Sequence, residues 1–218
     1  MPLPPRDATT AWKTCHIIVS LLMPLLGSIT IEGRENVPVA GGVVLGCNHP
    51  GGVDVVALGY ASPRQIYYMA KQELFEFRPW FSALITSVGA FPIRRGTNDT
   101  AAIEHSLRLV REGNVLGMFP EGTRNRGRPL GRPKSGAVRI AALTGAPLVP
   151  SAVIGIPDLH KEWKNPLRRT RVQVRFGPPI RFVGDPDDSA AIQHTSLQLM
   201  HAIARLLPPE LRGIYGEE

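Results

Sequence analysis

The sequence predicts a single α/β domain with a mixed, largely parallel central sheet flanked by helices. Short apolar runs of strand length alternate along the chain with segments of helical periodicity, as in strands that are connected by helices. The chain has 218 residues, of which 43% are hydrophobic, so it can bury one good core. We therefore predict a main domain at residues 30–218, preceded by an apolar helical segment at residues 1–29.

Five segments have the composition of strands. Four are uninterrupted apolar runs, which are typical of strands buried on both faces: residues 43–46, 66–69, 115–119 and 148–154. In the fifth, Val172, Val174 and Phe176 alternate with polar residues. That alternation predicts a half-exposed strand near an edge of the sheet.

Three helices are predicted between and after these strands. The first follows a capping candidate, Asn98, and stops at Gly113; the second ends at Gly145; the C-terminal helix ends before Pro208. Their apolar residues recur at helical spacing: Ile103, Leu107 and Val110, then Val138, Ala141 and Ala142, then Ile192, Leu199, Ile203 and Leu206. We expect these apolar faces to pack on the sheet.

The apolar stretch at residues 17–26 is too short to cross a bilayer, which takes about 20 apolar residues, and Pro24 interrupts it. No Ala-x-Ala-like signal-peptide cleavage site follows it. Two interpretations remain open. The segment is either a helix in the membrane interface, with Trp12 and Lys13 at the headgroups, or a helix buried against the domain.

The formal net charge of +7 indicates an anionic partner, such as a phosphorylated molecule, an anionic membrane or a nucleic acid. The two cysteines, Cys15 and Cys47, lie far apart, so neither a disulfide framework nor a zinc site is supported. No metal is expected, because the other histidines have no ligand spacing: His16, His105, His160, His194 and His201.

The segment Asn48-His49-Pro50-Gly51-Gly52-Val53-Asp54 follows a buried strand, where α/β proteins usually present catalytic and ligand-binding groups. Pro50 and the two glycines predict a turn, so Asp54, in the first turn of the next helix, can reach back to the His49 imidazole. A carboxylate on one ring nitrogen fixes the tautomer and leaves the other nitrogen free as a base. Alternatively, His49 ends the strand and Asp54 caps the helix.

Three further segments follow in order. Arg94 and Arg95, in the glycine-flanked residues 89–96, either hold a phosphate or form a solvated turn. The turn Glu121-Gly122-Thr123-Arg124 leaves a very apolar strand and contains either a ligand-binding group or a structural ion pair. Val149-Pro150 lies in a predicted strand, either as core or as the lining of an apolar pocket.

In this order, His49-x4-Asp54, residues 89–95, residues 119–124 and Val149-Pro150 resemble the four sequence blocks of the glycerophospholipid acyltransferases, typified by 1-acylglycerol-3-phosphate acyltransferases. The resemblance covers residues 30–180. It implies that His49 is a general base oriented by Asp54. The resemblance implies that Arg95 and the turn Glu121-Gly122-Thr123-Arg124 bind the acceptor phosphate and that Val149 and Pro150 form part of the acyl pocket. Arg94 and Lys134 are further substrate-binding candidates, because they add positive charge. Arg94 departs from the family, because many members have an acidic residue there.

The resemblance also implies the reaction: a fatty acyl group moves from acyl-CoA or an acyl carrier protein to the hydroxyl of a lysophospholipid. The resemblance favours 1-acylglycerol 3-phosphate as the acceptor, and its acylation gives phosphatidic acid. A hydroxyl is a weak nucleophile and needs a base such as neutral His49. No Gly-x-Ser-x-Gly turn or low-pKa cysteine candidate lies beside His49, so we expect direct attack with no acyl-enzyme. No cofactor is expected. Cys47 is expected to be buried and to point away from His49.

Several alternatives remain open. The alternative acceptors are another glycerolipid or a glycerol phosphate. The basic residues at 124–134 form either a solvated loop or a positive rim that attracts anionic ligands. A basic membrane- or nucleic-acid-binding module without catalysis is the alternative from another class. Nucleic acid is not expected, because stacking aromatics do not interleave with the basic residues. We expect a membrane-surface partner and a peripheral or monotopic position on the cytoplasmic side of the cell membrane.

Overall fold

The computed structural model describes residues 2–5, 8–94, 96, 99–156 and 170–216. Its strands are β1 (Gly27–Glu32), β2 (Val43–Cys47), β3 (Ile66–Lys71), β4 (Ala90–Ile93), β5 (Val115–Met118), β6 (Leu148–Ile154) and β7 (Thr170–Phe176). Its helices are α1 (Thr10–Leu26), α2 (Asp54–Ala61), α3 (Gln72–Glu76), α4 (Pro79–Ser87), α5 (Thr100–Arg111), α6 (Gly136–Thr144) and α7 (Ser189–Leu206).

The described strands form one sheet in the order β1-β7-β6-β2-β5-β3-β4. Neighbouring strands run parallel except for β6 and β7, which are antiparallel, so the predicted mixed, largely parallel sheet is confirmed. The carboxyl ends of β6, β2, β5, β3 and β4 consequently meet at one edge. Strand β2 lies in the middle with β5 on one side and β6 on the other, which is where α/β sheets usually bind ligands.

Helices cover both faces of the sheet. On one face, α5, α6 and α7 pack against Val44, Leu116 and Leu148, which are fully buried. On the other face, α1 and α2 pack near Leu45, Val115 and other core residues. Because both faces of β2 are covered, all five of its residues are buried, and this explains why it appears in the sequence as an unbroken apolar run.

The five predicted strands are present. Strand β5 ends at Met118, one residue earlier than predicted, and β7 shows the expected alternation and lies second from the edge. The two edge strands of the described sheet, β1 and β4, were not predicted. The N-cap of α5 is Asp99, whose carboxylate accepts from the main-chain nitrogen of Ala102, whereas Asn98 lies outside the described residues.

Helix α1 has one buried and one exposed face. Trp12, His16 and Ser20 recur every four residues and are buried, whereas the apolar residues Ile17, Ile18, Leu21 and Leu22 are exposed. The Trp12 ring packs on α2 so closely that a Cβ atom at Gly59 would lie 2.9 Å from it, so the placement of Trp12 at the headgroups is wrong. Within the described part of the chain, no helix combines the length and apolar character that crossing a membrane requires.

Candidate active site

Asn48 anchors the chain where strand β2 ends. Its buried side chain donates to the carbonyl of Val153 at 3.0 Å and accepts from the Val153 nitrogen at 2.8 Å. This pair replaces the ladder hydrogen bonds that β2 would otherwise make with β6. The next residue, His49, therefore leaves the sheet in a defined direction, and the positioning role of Asn48 is one that the sequence alone did not indicate.

His49 and Asp54 are in contact, as predicted: the imidazole Nδ1 lies 2.7 Å from Asp54 Oδ2. Main-chain nitrogens of Gly51 and Val55 donate to the same carboxylate at 3.1 and 2.8 Å. The Asp54 side chain is fully buried and His49 is only 7% exposed. The turn after Pro50 thus folds the start of α2 back onto the imidazole, which fixes the orientation of the ring.

Phe119 forms the other support of the imidazole. The two rings stack with centroids 4.0 Å apart and planes 17° apart, and Tyr68 lies behind Phe119 at 6.3 Å. The Tyr68 hydroxyl donates to the carbonyl of Val55 at 3.1 Å. Burial raises the pKa of the Tyr68 phenol well above its ordinary value, and nearby Cys47 and Asp54 raise it further, so the phenol remains a neutral donor.

Cys47 is buried, as expected, but it does not point away from the site. Residues two apart on a strand share a face, and the Cys47 side chain belongs to the same core cluster that Phe119 packs against. Burial raises the pKa of its thiol well above the ordinary value, and the carboxylates of Asp54 and Glu121 raise it further. The thiol is therefore held neutral, in an environment unlike that of a reactive cysteine.

Glu121 links the turn after β5 to the His49 loop. Its Oε1 accepts from the main-chain nitrogen of His49 at 3.2 Å and from the Asn125 amide at 3.0 Å, and its Oε2 accepts from the Gly131 nitrogen at 3.2 Å. The main-chain nitrogen of Asn125 in turn donates to the carbonyl of His49 at 2.8 Å. Within the described contacts no ion pair joins Glu121 to Arg124, so that alternative is not the arrangement found.

A cavity of about 1170 Å³ opens beside His49. Its walls come from α1, α2, β3, α3 and α4, and are mostly apolar: they include Val19, Val55, Val56, Met69, Leu74, Phe81, Leu84, Ile85 and Val88. Basic and polar side chains from the loop after β5 lie at the end that contains His49: Thr123, Arg124, Asn125, Arg126 and Arg128. One end of the cavity is thus cationic and the remainder suits an aliphatic chain.

Thr123 and Arg124 are the predicted phosphate-side residues that line this cavity. The Arg124 guanidinium lies beside Gly52, where a Cβ atom would be 3.4 Å from it. Gly122 has a φ of 70°, and its missing side chain leaves room for the stem of Lys134, which a Cβ atom would approach to 2.7 Å. A glycine is therefore needed at this turn.

Other predicted residues lie away from the cavity. Arg94 is exposed at the end of β4, where its main-chain nitrogen donates to Asp99 at 2.8 Å, and it is not part of the lining; Arg95 lies outside the described residues. Lys134 lines a separate groove of about 630 Å³, together with Arg132 and Arg139.

Val149 and Pro150 do not line the cavity either. Both are buried within β6, where Val149 belongs to the core beneath α2 and the Pro150 carbonyl accepts from Gly177 at 2.8 Å. The structure therefore gives these two residues a core position in place of the predicted acyl contact. Much of the apolar wall comes instead from α1 and α4. Residues 79–87 of α4 contain no charged residue, and this is the sequence feature that could have identified the wall.

Three comparisons with known proteins agree with this geometry. The family model described as Acyltransferase matches residues 28–154. A 1-acyl-sn-glycerol-3-phosphate acyltransferase of Bacillus subtilis is 36% identical over 171 residues, which cover 78% of this chain and 82% of that protein. One from Cocos nucifera is 31% identical over 196 residues, 86% of this chain and 60% of that protein.

A solved structure has the same fold. The crystal structure of the 1-acyl-sn-glycerophosphate (LPA) acyltransferase PlsC from Thermotoga maritima superposes with a TM-score of 0.67, covering 89% of this chain and 78% of that one. The two sequences are 19% identical in this alignment, so the superposition establishes a shared architecture.

Proposed function

The chain belongs to the acyltransferase family that includes the 1-acyl-sn-glycerol-3-phosphate acyltransferases, and we propose that it acylates 1-acylglycerol 3-phosphate to give phosphatidic acid. One observation carries this proposal. The contact of 2.7 Å between His49 and Asp54 lies at the cationic end of a large apolar cavity. A base, a phosphate-binding end and an acyl-binding wall are the three elements that this reaction requires.

His49 acts as the general base. With Nδ1–H donating to the Asp54 carboxylate, the neutral imidazole has an unprotonated Nε2. Nε2 takes the proton of the acceptor hydroxyl while the hydroxyl oxygen bonds to the thioester carbonyl carbon. When the carbon–sulfur bond breaks, the imidazolium returns the proton to the departing thiolate. The reaction thus proceeds without an acyl-enzyme.

The acceptor phosphate binds at the arginine end of the cavity. Arg124, Arg126 and Arg128 line it beside His49, and the sequence has no acidic residue between Gly122 and Pro157. Guanidinium groups pair well with phosphate oxygens, so this end holds the headgroup and leaves the hydroxyl near the base. The apolar walls hold fatty chains, which gives a lysophospholipid an advantage over free glycerol 3-phosphate.

The acyl donor is a thioester, either acyl-CoA or an acyl carrier protein, and no cofactor takes part. Both substrates and the product carry fatty chains, so the protein works at a membrane surface, which we place on the cytoplasmic side. The exposed apolar residues of α1 and α4 support this position, because α1 and α4 also form the cavity walls.

The experiment incubates purified protein with 1-acylglycerol 3-phosphate, glycerol 3-phosphate or lysophosphatidylcholine, each with acyl-CoA and with acyl carrier protein thioesters. Products are identified by mass spectrometry. Phosphatidic acid should be the principal product, and the matched His49→Ala protein should give none above the background rate. Faster acylation of either of the other acceptors would show that 1-acylglycerol 3-phosphate is not the preferred acceptor, although the protein would still be an acyltransferase.

A further inference from the structure

The loop after β5, residues 122–131, contributes three arginines to the cavity and is called the arginine loop below. Arg124, Arg126 and Arg128 are all exposed. Arg126 has a φ of 55°, a left-handed conformation that residues other than glycine seldom adopt. Such a conformation persists only where the surrounding structure maintains it. The contacts at the ends of the loop therefore help to determine where its guanidinium groups lie.

The C-terminal segment, residues 208–216, holds the far end of the arginine loop. Leu130 is only 5% exposed, and its main-chain nitrogen donates to the carbonyl of Leu211 at 3.0 Å. The Tyr215 hydroxyl donates to the carbonyl of Gly131 at 3.2 Å. The position at which the loop ends is thus set by residues about 80 positions later in the chain.

Tyr215 is itself held firmly. Its side chain is buried in the same core cluster as Leu130, and its ring meets the His201 ring of α7 edge-on, with centroids 5.2 Å apart. Burial raises the pKa of the phenol, and the Glu121 carboxylate raises it further, while Arg132 lowers it. The phenol is consequently a neutral donor near pH 7, and α7 fixes its place.

A short series of hydrogen bonds connects Tyr215 to the base. Gly131, whose carbonyl accepts from Tyr215, donates its main-chain nitrogen to Glu121 Oε2 at 3.2 Å. Glu121 Oε1 in turn accepts from the main-chain nitrogen of His49 at 3.2 Å. Both polar main-chain groups of Gly131 are engaged, so a shift of Gly131 would move the end of the arginine loop and the Glu121 carboxylate together.

We propose that Tyr215 is a positioning residue for the acceptor site: by fixing Gly131, its hydroxyl holds the arginine loop and the Glu121 carboxylate in place. The inference rests on the proposed function in taking the loop arginines as the phosphate site. Tyr215 binds the arginine loop directly, whereas His49 keeps its own contact with Asp54. Loss of the hydroxyl should therefore weaken acceptor binding more than it slows the chemical step.

The test is Tyr215→Phe, which keeps the buried ring and removes only the hydroxyl. The KM for 1-acylglycerol 3-phosphate should rise about two- to tenfold, the effect of one neutral hydrogen bond on an equilibrium constant, with a smaller change in kcat and an unchanged KM for the acyl thioester. Ile214→Ala, an exposed change in the same segment, should behave as wild type.

A second control separates positioning from general loss of stability. Val110→Ala removes buried core packing at the end of α5, near the sheet edge opposite the arginine loop, and should lower Tm without raising the acceptor KM. An unchanged acceptor KM in an active Tyr215→Phe enzyme would overturn the proposal. An equal rise in Val110→Ala would overturn it too, because the effect would then follow stability alone.

Amide hydrogen exchange, read by mass spectrometry, tests the positioning role without turnover. In Tyr215→Phe, exchange should become faster in peptides that cover residues 119–131 and 47–51, whose amides at Gly131 and His49 donate to Glu121, and should stay unchanged in α5. This result supports the role even if no tested acceptor is acylated, an outcome that would remove only the proposed reaction. Wild-type exchange across residues 119–131 would overturn the positioning role.

Discussion

Glu121 accepts a hydrogen bond from the main-chain nitrogen of His49 at 3.2 Å, although the two residues are 72 positions apart. The same carboxylate accepts hydrogen bonds from Asn125 and Gly131, so Glu121 connects the loop with the cavity arginines to the loop with His49. The resemblance placed Glu121 in a phosphate-binding turn. A carboxylate repels phosphate, and its observed partners give it a positioning role in that turn.

We predict that Glu121→Ala lowers kcat by about 10- to 100-fold, because a base displaced by about 1 Å loses much of its effect. The acceptor KM should change less. Losing these hydrogen bonds should remove about 2 kcal/mol of stability, or lower Tm by about 4 to 8 °C. Steady-state kinetics and a thermal melt measure both effects. An unchanged kcat in a folded Glu121→Ala protein would contradict the positioning role.

We predict that His49→Ala reduces turnover by about 100- to 10,000-fold, the usual contribution of a general base. Asp54→Asn should also be severely impaired, because an amide does not fix the productive tautomer as a carboxylate does. Asparagine is preferred to alanine here, since Asp54 is fully buried and its removal would leave the nitrogens of Gly51 and Val55 unpaired. Circular dichroism checks the fold, and near-normal turnover in either variant would exclude the mechanism.

Arg124→Ala should raise the KM for 1-acylglycerol 3-phosphate by about tenfold with a smaller effect on kcat. A charge-assisted phosphate contact exists in both the ground state and the transition state, so its loss appears mainly in binding. Arg139→Ala is the matched control, because Arg139 lines the separate groove with Lys134. Equal KM values for Arg124→Ala and Arg139→Ala would argue against a phosphate at Arg124.

The sequence predicted those parts of the site whose contacts join residues close together in the chain. The strands buried on both faces are plain in the sequence, and the His49–Asp54 contact spans five residues and one turn, so local geometry predicts it. Strand β1 was missed although Ser28, Thr30 and Glu32 alternate with apolar residues, the same pattern that predicted β7. The hydrogen-bond partners of Glu121 could not be predicted, because they depend on how two loops distant in sequence meet in the fold.

The prediction that Val149 and Pro150 line an apolar pocket was wrong for a similar reason. Val149 and Pro150 are apolar and near the site in sequence order, but β6 is covered by helices on both faces and contributes them to the core. The cavity lies at β3 instead, between α1, α2 and α4. Amphipathic patterns identify which face of a helix is apolar, and they do not say whether that face meets the core, a ligand or a membrane.

Lowering the pH should destabilise the folded protein through His16. Burial lowers its pKa in the fold from the ordinary value of 6.5, so below that pH the unfolded chain binds a proton that the folded chain does not. Stability therefore falls as pH drops from about 6.5 towards the lowered pKa. In His16→Phe the difference in Tm between pH 8 and pH 5.5 should be smaller than in wild type. An equal or larger difference would contradict a neutral, buried His16.

The membrane face is the last point that the structure makes testable. Ile17, Ile18, Leu21 and Leu22 on α1 are 46 to 66% exposed, and Phe77 and Trp80 near α4 are 68% and 67% exposed. Both groups lie beside the cavity walls. Deleting residues 1–28 is not a clean test, because it also strips buried Trp12 and His16 from the domain. Single surface substitutions avoid this problem.

We predict that Leu21→Glu and Trp80→Glu each weaken binding to anionic vesicles by about tenfold or more, since burying one large apolar side chain contributes about 1.5–3 kcal/mol. Val39→Glu is the control: Val39 is 85% exposed but precedes β2, at the sheet edge opposite the one that His49 follows. Co-sedimentation with phosphatidylglycerol vesicles measures binding, and activity on detergent-dispersed substrate shows that the site is intact. If Val39→Glu weakened binding as much as the other two, general charge repulsion would explain the result and no defined membrane face would be needed.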